Sequence, residues 1–376
     1  MSIQLERATD GTILSATFLR PSNFHAHLRR GPLMRAIAKH IMRYVKYLVV
    51  MPNTGPIRTV DEARNYFNEL MEIAEEEAFN QLALIMTVYH TPALTIREID
   101  RIAASTIVRA VKHYPPTAGT TTGSGFGIRL GDPQSDEQFR RMAEWRIPLL
   151  GHFEDVEDKY GRKLHPRDGE AHFVREKLWR FRERHPDLRI CFEHASTVEA
   201  IEFVKADTSG NTFMTVTPQH SLCTEAIFNR SWANHAKCKP VLQSEGDRAA
   251  IEEFITSGDR RVGAGDDTAA HLLETKVGSF EAAANGAFWT WHGITAYANV
   301  FEKAGALDDR FEAFMSLNGP RWWGLTSPRA DDTITLYRET ERDLPDPVPV
   351  PEEGDVVLPF GWSEASDRLR IGWAIR

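Results

Sequence analysis

The stretch NFHAHLRRG, residues 23–31, places two histidines one residue apart, directly after apolar chain that reads as extended. Residues i and i+2 of a strand share a face, so His25 and His27 are expected to point the same way. Imidazole is a common ligand of zinc and of neighbouring divalent metals. The stretch therefore predicts a strand whose end presents two metal ligands, with Arg29 following two places later.

Further apolar, β-branched runs alternate with stretches of helical spacing along the whole chain. Eight strands are predicted, at residues 16–25, 47–52, 83–89, 107–113, 147–152, 188–194, 212–218 and 261–266. Eight strand–helix units over ~270 residues are typical of a (β/α)8 barrel. The sequence thus predicts an α/β fold with a single TIM barrel at residues 1–340. Residues 341–376 are predicted to form a C-terminal tail that packs on the barrel.

The composition excludes several classes of protein. Among 376 residues the apolar fraction is 42%, and mean hydropathy is −0.38. No apolar run approaches the ~18–20 residues of a membrane helix, so no membrane partner is expected. The net charge of −8 argues against nucleic-acid binding but permits a small anionic ligand. The N-terminus lacks the pattern of a secretory signal, and the three cysteines form no close pair, so a cytoplasmic location is expected.

Polar side chains fall at the ends of the predicted strands, where barrel enzymes carry their active sites. The residues concerned are His25, His27, Asn53, Lys112, His152, His194 and Asp267. An isolated pair of histidines is more often incidental than functional. Four histidines, a lysine and an aspartate that converge on one rim favour a metal centre instead.

Lys112, in the strand IVRAVKHYP, is unusual because it places a cation among expected metal ligands. Burial and nearby cations lower the pKa of a lysine, and the neutral amine can react with carbon dioxide. The resulting carbamate has two oxygens and can bridge two ions, which then activate a shared hydroxide and polarise a carbonyl. Asp267 could then bind one ion and transfer a proton. The alternatives for Lys112 are a lysine at the surface or one paired with a carboxylate, and the alternative for Asp267 is an aspartate that caps a helix.

Several motifs, in this order along the chain, resemble those of dihydroorotases of the short, single-domain type, within the amidohydrolase superfamily. They are FHAHLRRG, VVMPNTGPIRTVDEA, VKHYPPTAGTTTGSGFG, PLLGHFED, ICFEHAST and GAGDDTAAH. The resemblance extends over residues 15–375 and implies interconversion of N-carbamoyl-L-aspartate and L-dihydroorotate in pyrimidine biosynthesis. It also implies a homodimer.

The resemblance further implies two zinc ions per subunit, bridged by carboxylated Lys112 and a hydroxide. The implied ligands of one zinc are His25, His27, Lys112 and Asp267, and those of the other are carboxylated Lys112, His152 and His194. Asp267 is the implied proton shuttle. The substrate carboxylate is implied to bind Arg29, Asn53 and His271, and Thr121 and Thr122 are implied to lie on a loop that closes over it.

Two departures from the family pattern bear on the site. Asn23 stands where the family usually has aspartate, and DDTAAH replaces the usual motif after the catalytic aspartate. Two alternatives stay open: another cyclic amide or imide hydrolase of hydantoinase type on the same scaffold, or a non-catalytic barrel paralogue. A planar guanidinium suits bidentate carboxylate binding, so Arg29 favours a substrate that carries a carboxylate.

Overall fold

The computed structural model describes residues 2–116, 127–339 and 344–375. The strands, numbered in chain order, are β1 (Gln4–Arg7), β2 (Ile13–Leu19), β3 (Asn23–His27), β4 (Tyr47–Val50), β5 (Ala83–Tyr89), β6 (Val108–His113), β7 (Leu149–Gly151), β8 (Ile190–Phe192), β9 (Thr212–Val216), β10 (Val262–Ala264), β11 (Thr268–Ala269), β12 (Thr333–Arg338), β13 (Val348–Val350), β14 (Asp355–Val357) and β15 (Trp373–Ile375).

The α-helices are α1 (Pro32–Met42), α2 (Val60–Glu76), α3 (Ile96–Ala103), α4 (Pro133–Glu144), α5 (Gly169–Phe173), α6 (Trp179–Arg184), α7 (Val198–Ala206), α8 (Pro218–Leu222), α9 (Ala233–Ala236), α10 (Glu245–Thr256), α11 (Trp291–Lys303), α12 (Asp309–Glu312) and α13 (Asn318–Trp323). Single π-helical stretches join α5 to α6 and α12 to α13. None of the helices in the described part of the chain is both long and apolar enough to cross a membrane.

The barrel consists of parallel strands β3 to β10, each hydrogen-bonded to the next. β10 pairs with β9, and its continuation β11 pairs with β3, where Thr268 lies opposite Ala26. The sheet therefore returns to its first strand. All four residues of β4 are buried, as expected for a strand that is covered on both faces. The prediction of a TIM barrel is confirmed.

The prediction of one strand over residues 16–25 is wrong. The structure divides this region into β2, which pairs antiparallel with β1 and β12, and β3, which enters the barrel. Pro21 lies between them, and proline cannot donate a backbone hydrogen bond to a sheet. The other seven predicted strands each overlap one of β4 to β10.

The C-terminal residues return to the N-terminus. β15 pairs with β12, which pairs with β2, and the resulting sheet has the order β1-β2-β12-β15. Trp373 on β15 is buried, and its indole N–H donates to Glu302 Oε2 on α11 at 3.0 Å. The division of the chain into a barrel of residues 1–340 and a tail of residues 341–376 stays a prediction.

Candidate metal centre and substrate pocket

The first cluster of ligand atoms lies where β3 meets the turn before β11. His25 Nε2 and His27 Nε2 are 3.2 Å apart, and Asp267 Oδ1 lies 3.1 Å from the former and 3.0 Å from the latter. All three side chains are buried. Three atoms with this spacing can each lie about 2.0–2.2 Å from a single ion. The donor set therefore fits a divalent metal.

The second cluster pairs the histidines that follow β7 and β8. His152 Nδ1 lies 3.1 Å from His194 Nε2, and the His194 and His25 ring centroids are 5.0 Å apart. Burial lowers the pKa of His194 well below its usual value, with the charge of His152 adding to the effect. The ring stays neutral, as a metal ligand must be. Ligand atoms of His25, His194 and Asp267 all lie within 4.8 Å of one another, so the two clusters adjoin.

Three of the predicted site residues have a left-handed backbone. The φ angles are 61° at Arg29, 42° at His194 and 48° at Asp267. Residues other than glycine rarely adopt this region, and such strain costs on the order of 1–3 kcal/mol and concentrates at functional sites. The surrounding contacts hold the Asp267 turn, because its N–H donates to the His25 carbonyl at 3.0 Å.

Gly265 allows this turn to approach β3. A Cβ atom at Gly265 would lie 2.9 Å from Thr215 Cβ and 3.1 Å from His25 Cβ, so any other residue would push the strands apart. Asn23 ties the same two segments together. Its Oδ1 accepts hydrogen bonds from the backbone N–H groups of His25 and Asp266, both at 3.1 Å. One side-chain oxygen thus links the strand of His25 to the turn of Asp267.

Glu193, which the sequence pattern did not predict as a site residue, lies behind the first cluster. Its Oε2 is 2.8 Å from His25 Nδ1 and also forms an ion pair with Lys112 Nζ. Neither Glu193 nor Lys112 is exposed. Burial alone would lower the pKa of His25, but the carboxylates of Glu193 and Asp267 raise it overall. Lys112 is paired with a carboxylate here, so its carboxylation stays a prediction.

Glu154 lies behind the second cluster in the same manner. Its Oε2 accepts a hydrogen bond from His152 Nε2 at 3.0 Å, and its Oε1 lies 3.3 Å from Lys239 Nζ. The sequence places both glutamates next to predicted metal ligands. Glu193 directly precedes His194, and Glu154 lies two residues after His152. Strand alternation concealed Glu193, since neighbours on a strand point to opposite faces. The left-handed backbone at His194 breaks that alternation.

A cavity opens beside both clusters, and Arg29, Asn53 and Lys239 are among the residues that line it. Arg29 Nε donates to the Ala270 carbonyl at 2.9 Å, and Arg29 Nη2 lies 3.0 Å from His271 Nε2. His271 Nε2 also lies 2.8 Å from the Asn285 carbonyl oxygen. Burial, followed by the charge of Arg29, lowers the pKa of His271 to about 2, so this ring is neutral.

The structure thus brings His271 against Arg29, which itself lines the cavity. Asn53 contributes to the lining, and its Oδ1 accepts a hydrogen bond from His27 Nδ1 at 2.6 Å. This contact leaves His27 Nε2 to face the ligand cluster. The predicted loop residues Thr121 and Thr122 lie outside the described residues.

A parallel barrel whose strand ends bring four imidazoles and a carboxylate around one cavity defines a class of protein, the metal-dependent barrel hydrolases. Comparison with known proteins gives the family. The chain is 37% identical over 348 residues to the dihydroorotase of Acaryochloris marina, covering 92% of this chain and 96% of that protein. The chain belongs to the dihydroorotase family.

Solved structures agree on the fold. Dihydroorotase from Saccharomyces cerevisiae, in complex with 5-fluoroorotic acid, has a TM-score of 0.83 at 24% identity, over 96% of this chain and 98% of that chain. L-Hydantoinase from Arthrobacter aurescens has a TM-score of 0.72 at 15% identity, over 87% of this chain and 77% of that chain. No family model matches the chain.

Proposed function

We propose that this enzyme interconverts N-carbamoyl-L-aspartate and L-dihydroorotate in pyrimidine biosynthesis. The observation that carries the proposal is the position of Arg29, which lines the same cavity as His27, His152, His194 and Asp267. A planar cation at the edge of a hydrolytic site suits a substrate that carries a carboxylate next to a cyclic amide. The family membership supports the same reaction.

We propose two zinc ions per subunit at the adjoining clusters. The residues that would hold them are His25, His27, Lys112, His152, His194 and Asp267, with Lys112 carboxylated and shared between the two ions. When bound, such ions polarise a carbonyl and lower the pKa of water. The close approach of ring nitrogens within the His25–His27 and His152–His194 pairs supports the proposal.

Arg29, Asn53 and His271 are proposed to hold the substrate carboxylate and so to place the amide carbonyl over the clusters. In the hydrolytic direction, water adds to the amide carbon, the ring C–N bond breaks, and the nitrogen gains a proton. Asp267 is proposed to take the proton from water and to deliver it to that nitrogen. Charge and hydrogen bonds from His25 and His27 outweigh burial and hold the pKa of Asp267 well below its usual value, so its carboxylate is ionised.

The test is an ultraviolet assay with dihydroorotate and with N-carbamoyl-L-aspartate, on protein whose zinc content has been measured. Turnover of both compounds, with about two zinc ions per chain, is the expected result. A hydantoinase-type hydrolase would instead prefer neutral hydantoins, and a non-catalytic paralogue would turn over neither and bind no stoichiometric zinc. Light scattering would test the homodimer, which also stays a prediction.

A further inference from the structure

We propose that Lys239 and Glu154 form a positioning pair that fixes the ring of His152 for metal binding. Lys239 acts through Glu154, and Glu154 acts on His152 directly. The inference rests on the proposed metal site and assigns a role to two residues outside its ligand set.

Glu154 determines which nitrogen of His152 is free. Carboxylate oxygens of an ionised glutamate only accept, so the Nε2–H of His152 donates to Glu154 Oε2, at 3.0 Å. A neutral imidazole carries one proton, and Nδ1 therefore keeps its lone pair. That atom faces His194 Nε2 at 3.1 Å. A carboxylate behind a metal-binding histidine fixes the tautomer and the ring orientation in this way.

The chain packs closely around the side-chain stem of Glu154. Its side chain is 1% exposed, and a Cβ atom at Gly169 would lie 2.8 Å from Glu154 Cγ. A larger residue at 169 would displace the glutamate. Packing thus confines the stem of Glu154, while the orientation of its carboxylate depends on its two partners, His152 and Lys239.

A buried carboxylate requires a compensating charge, because an unpaired ion in a protein interior is costly. Lys239 supplies it, with Nζ 3.3 Å from Glu154 Oε1. In the residues that the structure describes, Lys239 is the only lysine or arginine paired with Glu154. Removing the ammonium group would leave the buried carboxylate without its counter-charge and favour its displacement from His152 Nε2, which would release the His152 ring.

The test measures zinc binding by the metal-free full-length protein, in competition with a chromophoric chelator and without substrate. Removing such a supporting partner typically weakens metal binding ~10–100-fold. We expect Lys239→Met and Glu154→Gln each to weaken the binding of one of the two zinc ions ~10-fold. The double variant should also lose ~10-fold rather than ~100-fold, since the two residues act in series.

Lys237→Met is the matched control, because Lys237 donates to the Glu281 and Ala283 carbonyl oxygens, both at 2.7 Å. It should bind zinc as the wild type does. Lys239→Arg keeps the charge and should stay within ~threefold of the wild type, and circular dichroism checks that each variant is folded.

Wild-type affinity in Lys239→Met would overturn the inference, as would an equal loss in Lys239→Arg. Additive losses in the double variant would also overturn it and would indicate that Lys239 acts independently of Glu154. A wild-type protein that binds no zinc would instead refute the proposed metal site.

Discussion

The two halves of the candidate metal centre are built alike but differ in their lysines. In each half a buried glutamate contacts a histidine and a lysine: Glu193 lies between His25 and Lys112, and Glu154 lies between His152 and Lys239. Lys112 has no exposed surface, whereas the side chain of Lys239 is 17% exposed and lines the cavity. The same pairing therefore occurs in two different environments.

This difference separates two roles for a lysine. Lys112 lies among the imidazoles, and a carbamate on its nitrogen would no longer be a cation for Glu193 to bind. Carboxylation would thus exchange an ion pair for a metal ligand. Lys239, by contrast, is proposed to stay unmodified and to balance the charge of Glu154.

Lys112→Ala should have the largest effect, a ~10⁴-fold loss of turnover together with a loss of bound zinc. Bound metal ions stabilise the charge that develops in the transition state by several kcal/mol, and each 1.36 kcal/mol corresponds to a tenfold change in rate. Steady-state kinetics and metal analysis measure the two losses. A short carboxylic acid should restore part of the activity by replacing the carbamate. Normal activity in this variant would show that Lys112 is only a partner of Glu193.

Asp267→Asn should lower kcat ~10³-fold while some zinc remains bound. Proton transfer by a positioned group typically contributes ~10²–10⁴-fold, and asparagine cannot accept the proton. Zinc analysis beside the kinetics separates the loss of the proton acceptor from the loss of a ligand. Turnover equal to that of the wild type would refute the proposed role of Asp267 as the proton acceptor.

Arg29→Met should raise KM for both substrates ~10–100-fold and leave zinc content unchanged. Hydrogen bonds to charged groups contribute about 1.5–3 kcal/mol, and the cavity wall would lose one of its cations. Arg30→Met is the control, because Arg30 pairs with Glu69 at the surface. An unchanged KM in Arg29→Met would place the substrate carboxylate elsewhere, and Lys239 would become the candidate cation.

Asn23→Asp should have the smallest effect, a loss of ~fivefold in zinc affinity of the first cluster. The new carboxylate would face Asp266, whose pKa burial raises to about 7, and like charges repel. Chelator competition measures the loss, and adding Asp266→Asn should recover it. If the double variant binds no better than Asn23→Asp, the two side chains are not coupled.

The sequence predicted the residues at strand ends well, because periodicity and parallel pairing place them on one rim. The four histidines and Asp267 all meet there. It did not predict Glu193 or Lys239, for two different reasons. A left-handed backbone turns the chain at His194, and Lys239 comes from a loop whose path no local pattern encodes. Pro21 lies at the break between β2 and β3. The residues on both sides of it favour extended chain, so one continuous strand was predicted there.

The most direct test of the central claim is a crystal structure of the zinc-loaded protein with anomalous scattering recorded at the zinc edge. Two peaks are expected, one within bonding distance of His25, His27 and Asp267 and the other within bonding distance of His152 and His194. Density for a carbamate on Lys112 is also expected between them. No zinc peak at these imidazoles, with Lys112 still paired to Glu193 in a catalytically active preparation, would contradict the central claim.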